Sequence, residues 1–254
     1  GIPAIEALIA EGINVNVTLI FSLDHYEAAA RAYIAGIERL LSRGGDPRRV
    51  ASVASFFVSR IDTAVDKKLE ALGNKDLQGK AAIAAARLVY DRFRAISGWK
   101  RWEKLAGQGA RVQRVLWGST GTKNPRYPDT LYVDELIGPD TVNTVPPATL
   151  QAFLDHGTAT PTLRRGVREA RRVLDGIEGL GIGMNEIADE LQREGVLAFE
   201  TSLDALMASI HSKRGQIRSG WASESTKAGS FSAAIDEGLA GLRKDRVMDR
   251  IWAK

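Results

Sequence analysis

The strongest constraint on the fold is a fourfold alternation: short β-branched or aromatic runs, each followed by a helical stretch. The first run, GINVNVTLIFS at 12–22, sets Val15, Val17 and Leu19 on one side and Asn14, Asn16 and Thr18 on the other. Further strands are expected at 51–58 (ASVASFFV), 112–117 (VQRVLW) and 141–145. Helical periodicity covers 23–42, 60–72 and 77–96. Shorter helices are expected around Trp99 and Trp102, which read as packing residues, and at 131–137. Strands joined by helices pair in parallel through right-handed crossovers, so the chain is an α/β protein with a parallel sheet. Such sheets are normally buried on both faces, which makes the row of Asn14, Asn16 and Thr18 unusual. Buried amides and hydroxyls cost free energy unless they find partners. Two readings are open: a self-satisfied polar layer in a barrel interior, or a row of groups turned towards a polar ligand.

Local signals set the boundaries. A first amphipathic helix is expected at 2–11, with Pro3 in its first turn and Gly12 at its end. Ser22 reads as an N-cap, Asp24 sits in the first turn behind it, and Gly44-Gly45 stops that helix. Beyond Pro146 and Pro147 no strand is evident, and helices are expected at 147–155, 163–177, 184–193 and 195–213. A Ser/Gly-rich linker follows at 216–230, and a last amphipathic helix within 231–254. The chain opens on Gly1, without Met and directly on a helix, which reads as a fragment.

Four strands are too few for an eight-stranded barrel. Polar residues nevertheless gather at or just after the strands' C-terminal ends: Thr18 and Ser22, Ser55 to Arg60, Ser119 to Lys123, Asn143 and Thr144. Barrel enzymes keep their active sites there, so half of a parallel (β/α)8 TIM barrel, with extra C-terminal helices, is the expected architecture.

Composition narrows the chemistry. The 254 residues contain no Cys, which excludes disulfides and thiolate chemistry and suits a cytoplasmic protein. The net charge is +4, and the Lys and Arg are spread among carboxylates. That favours phosphorylated small molecules over nucleic acid. No apolar run is long enough to cross a bilayer, and no signal peptide is expected. His25, His156 and His211 have no metal-site spacing, so no metal is expected. Glu186 and Glu190 read as a solvated helix face, as do Arg164, Arg165, Arg168, Arg171 and Arg172. GSTGTK at 118–123 has the composition of a phosphate loop without the Walker spacing, so nucleotide hydrolysis is not expected.

Four motifs in order, EGINVNVTLIFS (11–22), SVASFFVSRID (52–62), QRVLWGSTGTKNP (113–125) and DTVNTVPP (140–147), together resemble the transaldolases over about residues 1–215. The chain is most similar to bacterial transaldolases fused to a glucose-6-phosphate isomerase, and GLRKDRVMDRIWAK at 241–254 resembles the run into that second domain. The resemblance implies Schiff-base transfer of a dihydroxyacetone unit in the pentose phosphate pathway. The sugar phosphates implied are fructose 6-phosphate, sedoheptulose 7-phosphate, erythrose 4-phosphate and glyceraldehyde 3-phosphate. It implies no metal or bound cofactor, because the iminium is itself the electron sink. No nucleic acid or membrane partner is implied.

Carried over position by position, Asn16 would hold a hydroxyl of the bound intermediate and Thr18 would help position the catalytic water. Ser55 would bind a substrate hydroxyl beside the wall formed by Phe57, and Ser119 would line the same pocket. Arg60 would meet the sugar phosphate with its forked donors. Lys123 would stand where shorter relatives place a second phosphate-binding Arg, in a longer loop. The family's Schiff-base Lys lies on the strand before the helix that opens this chain. Lys67, Lys68, Lys80 and Lys100 all read as solvated helix faces. The expectation is therefore the C-terminal half of a transaldolase domain, without the covalent step by itself. Two other readings are a non-catalytic phosphosugar-binding half-barrel and an aldolase-type lyase that releases the three-carbon unit.

Overall fold

A computed structural model describes residues 1–218 and 232–244. The chain divides into two units, Gly1–Ala198 and Phe199–Lys254. The first holds a four-stranded parallel sheet in the order β1-β2-β3-β4, with β1 Val15–Ile20, β2 Ser52–Phe57, β3 Arg114–Gly118 and β4 Thr141–Asn143. Helix α1 (Ile2–Ala10) precedes β1, and α2 (Leu23–Ser42) joins β1 to β2. Between β2 and β3 lie α3 (Ser59–Ala71), α4 (Ala81–Ser97) and α5 (Lys100–Ala106), and the short α6 (Leu131–Asp134) precedes β4. Then come α7 (Pro147–His156), α8 (Val167–Gly179) and α9 (Met184–Arg218), which runs on into the second unit. Helix α10 (Ser232–Lys244) completes the described part of that unit.

Cross-strand register sorts the sheet into two faces. Val17, Ala54 and Val115 align in one row, and Ile20, Phe56 and Trp117 in the next. All six are buried in the core beneath the helices. Each large side chain among them contributes on the order of 1.5–3 kcal/mol through burial. Asn16, Thr18, Ser55, Phe57 and Leu116 alternate onto the opposite face. There Asn14, Asn16 and Thr18 are exposed, so the two-sided burial expected for the first strand does not hold. The physical reason is that the helices cover only one side of these strands, and the polar row falls on the other.

At the strands' N-terminal ends, side chains pin the register. Ala51 N–H donates to Asn14 Oδ1 at 2.7 Å, and Ser52 Oγ to the Val15 carbonyl at 2.7 Å. Gln113 Nε2 then donates to Ser52 Oγ at 2.9 Å.

Several boundaries differ from expectation for local reasons. Helix α4 begins at Ala81 instead of 77, because Asn74 Oδ1 accepts from the Asp76 and Leu77 amides and holds that stretch as a turn. Helix α8 begins at Val167 instead of 163, since Gly166 takes φ +66° and breaks the preceding path. The helices expected at 184–193 and 195–213 are one, α9, which passes through Gly195 without interruption. Gln216 to Arg218, expected to start the linker, belong to α9. Residues 219–230 of that linker, and the ends of the last expected helix at 231 and 245–252, lie outside the described residues. Among the described residues no helix is long and apolar enough to cross a membrane.

Candidate active site

Polar residues of β1 and β2 meet on the open face, and those of β2 and β3 at the C-terminal ends of the strands. Ser55 is 2% exposed, and its Oγ donates to Asn16 Oδ1 at 2.6 Å. This bond fixes the amide orientation, because the oxygen must accept and the NH2 must turn to the open face. Thr18 lies two residues along the same strand face. Phe57 is half-buried, with the Phe21 ring centroid 5.7 Å away and the exposed Arg60 guanidinium 5.3 Å over its ring. A cation over an aromatic face is worth about 0.5–1 kcal/mol at an exposed site and restrains where the guanidinium points.

The chain then crosses to β3. Val58 N–H donates to the Gly118 carbonyl at 2.9 Å, and Ser59 N–H to the Ser119 carbonyl at 3.0 Å. The Ser59 and Ser119 hydroxyls lie 2.8 Å apart. Ser119 adopts φ +55°, a conformation that a non-glycine residue keeps only when its surroundings impose it. Further along the loop, Thr120 Oγ1 donates to the Thr144 carbonyl at 2.9 Å and ties it to β4. Helix α3 starts at Ser59 with no side-chain cap, so the positive end of its dipole lies beside Arg60. The strand ends thus present an amide, hydroxyls, an aromatic wall and a cation together. That set can hold the hydroxyls and one anionic group of a polar ligand.

Lys123 is placed elsewhere. It lines a cavity of about 340 Å³ with residues such as Asp62, Asp66, Lys67, Arg126 and Tyr127, a set that includes neither Arg60 nor Ser119. Beneath this cavity is a network that sequence reasoning missed. Tyr132 Oη donates to Asp62 Oδ2 at 2.7 Å and Tyr127 Oη to Asp66 Oδ2 at 2.6 Å. Asp62 Oδ1 and Asp66 Oδ1 accept from the Ala82 and Gly79 amides at 2.8 and 2.9 Å. Burial pushes the Asp62 carboxyl up to about 6, against the lowering effect of the Tyr132 hydroxyl and the Ala82 amide. The two tyrosines anchor the chain after the polar loop to α3. The only sequence signal was the i,i+4 spacing of Asp62 and Asp66.

Lys67, Lys68, Lys80 and Lys100 are exposed, and none of the four described strands contains a lysine. Among the described residues no cluster of His, Cys, Asp or Glu could hold a metal ion. His156 pairs with Asp129 and Asp155, and His25 with Asp189.

Comparison with known proteins decides the family. The family model for transaldolase/fructose-6-phosphate aldolase matches residues 1–210. The chain belongs to the transaldolase/fructose-6-phosphate aldolase family. A transaldolase of Acidothermus cellulolyticus is 51% identical over 213 residues, covering 83% of this chain and 57% of the relative. One from a Parafrankia species is 50% identical over 223 residues, covering 86% and 60%. Transaldolase 2 of a Nostoc species is 45% identical over 227 residues, covering 84% and 60%. The chain therefore spans less than two thirds of the length of these curated relatives. In this transaldolase-family chain the matched region contains the whole parallel sheet.

Proposed function

We propose that this chain is the C-terminal half of a transaldolase (β/α)8 barrel. In that reading 1–215 is barrel with appended helices, 216–230 a linker, and 231–254 the run towards a fused glucose-6-phosphate isomerase domain. The whole protein then moves a dihydroxyacetone unit between sugar phosphates. A lysine amine attacks the donor ketone and loses water to form an iminium. The carbon–carbon bond then breaks, releasing the rest of the donor as an aldehyde and leaving an enamine. An acceptor aldehyde captures that enamine, and water hydrolyses the new iminium to free the product ketone and the amine. The amine comes from outside this chain, so the chain alone supplies binding and positioning. Asn16 and Ser55 hold substrate hydroxyls, Thr18 positions the water that moves protons, Phe57 and Ser119 wall the pocket, and Arg60 takes phosphate, while Lys123 lines a different cavity and is not part of this set.

The observation that carries this reading is the bare polar face of the sheet. Asn16 and Thr18 are exposed on it, the Asn16–Ser55 bond lies within it, and the Arg60–Phe57 stack stands at its C-terminal edge. Active sites of barrel enzymes occupy that edge. The test is borohydride trapping with fructose 6-phosphate on the full-length gene product and on residues 1–254. Mass addition on the full-length protein alone is expected. No addition on either protein would overturn the enzymatic reading. Sugar-phosphate binding by 1–254 without trapping on either would favour the non-catalytic module.

A further inference from the structure

The end of β1 is kinked, and α9 holds the kink. Register with β2 runs Val15 to Ser52, Asn16 to Val53 and Val17 to Ala54, then skips, so that Ile20 aligns with Phe56. Thr18 and Leu19 together oppose one residue, which makes a β-bulge. Leu19 takes φ +60°, a region that costs a branched aliphatic residue free energy and persists only where neighbours enforce it. The bulge has a directional effect. It leaves Thr18 on the polar face with Asn16 and returns Ile20, 2% exposed, to the core.

Two contacts at this kink come from the first four turns of α9. Gln192 Nε2 donates to the Leu19 carbonyl at 3.0 Å. A carbonyl only accepts, so the amide nitrogen must be the atom facing it. Three residues on, a Cβ at Gly195 would lie 2.7 Å from Leu19 Cδ2, and Leu19 is itself buried. A larger residue there would push the Leu19 methyl groups out of their present position. Asp189 Oδ1 lies 2.9 Å from His25 Nε2, and Asn185 Nδ2 donates to Asp24 Oδ2 at 3.2 Å, so the same turns also grip the start of α2. Ile187 and Ala188 are buried between these contacts.

We propose that Gln192 and Gly195 are positioning residues of the candidate active site: they hold the β1 bulge that aims the Thr18 hydroxyl along the face shared with Asn16. This rests on the reading of Thr18 given above. A late helix far away in sequence thereby sets the placement of a group on the first strand. Losing a group's aim by about 1 Å can cost on the order of a hundredfold in rate while leaving binding of the rest of the substrate intact.

The test uses the full-length gene product with Gln192→Ala, Gln192→Glu and Gly195→Ala, read by steady-state kinetics. Gln192→Ala is expected to lower kcat about tenfold or more, with KM for fructose 6-phosphate unchanged within about twofold. Gln192→Glu sets an acceptor against the carbonyl when ionised and a donor when protonated. Its activity relative to the parent at the same pH should therefore recover as pH falls. Unchanged kcat in both Gln192 variants, or equal changes in kcat and KM without acid recovery, would overturn the proposal. A second readout separates this from failure of the enzymatic reading. If the parent shows no transfer activity, the backbone amide shifts of Thr18, Leu19 and Ile20 in residues 1–254 become the measure. Gln192→Ala and Gly195→Ala should move these three, while amides of β3 and β4 stay in place. Unmoved Thr18 and Leu19 amides would overturn the proposal whatever the enzyme does.

Discussion

The two faces of one sheet obey different rules. On the helix side, Val17, Ala54, Phe56, Val115 and Trp117 are at most 9% exposed and belong to one hydrophobic cluster. On the other side, Asn16 and Thr18 are exposed, and order comes from hydrogen bonds and a cation over a ring. The helix side stores stability in contact area, whereas the open side stores geometry in a few directional bonds. Substitutions should therefore separate the two: loss of stability with little else on one face, loss of function at nearly unchanged stability on the other.

The largest effect is expected at Trp117, which is fully buried and packs edge-on against Phe56 with ring centroids 6.1 Å apart. Trp117→Ala should destabilise the fold by about 3–5 kcal/mol in urea unfolding, because a large cavity opens in the core. A cost near 1 kcal/mol would mean the helix side is loosely packed.

Next comes Asp62, behind the sheet on α3. Its pKa is raised to about 6 from the usual 3.8, so between those values the folded state binds the extra proton. This group's contribution is fully present below about pH 4, falls by up to roughly 3 kcal/mol as pH rises to 6, and is flat above. Asp62→Asn keeps an acceptor for Ala82 and should abolish that segment of the stability–pH curve. A curve unchanged in slope would show that Asp62 is not the group titrating.

On the open face the balance reverses. Ser55→Ala removes one neutral hydrogen bond and should cost about 1 kcal/mol of stability. In the full-length protein it should lower kcat/KM about tenfold or more, as the Asn16 amide loses its fixed orientation. Smallest in stability is Arg60→Lys, expected within about 0.5 kcal/mol of the parent because the side chain is exposed. It should still raise KM for phosphorylated substrate, since a lysine lacks the planar fork. Equal losses of stability and activity at Ser55 would erase the distinction between the faces.

Much of this was legible in the sequence. The Ser22 cap is where its hydroxyl accepts from the His25 amide at 3.1 Å, and the parallel sheet follows from the strand–helix alternation. The Asn16–Ser55 and Phe57–Arg60 pairs join residues that the sequence places on neighbouring strands or just beyond one. What was not legible depends on distant contacts. Nothing near Leu19 announces a bulge, because no glycine or proline marks it and the cause sits in α9, 173 residues away. Gly195 reads locally as a break, whereas α9 runs through it with the Leu19 side chain packed against it. Tyr132 and Asp62 are 70 residues apart, and neither has a local signal for the other.

The pins at the N-terminal ends of the strands bear on how the sheet is reached. Partners there are 37 and 61 residues apart, so each pairing follows a long loop closure, the slow kind of step in folding. If β1 arrived one residue out of register, Val17 would face solvent and the asparagines the core. It would also forfeit the bonds through Asn14, Ser52 and Gln113. Misaligned encounters are then short-lived compared with correct ones, and the sheet can be searched by trial and rejection before its core has packed.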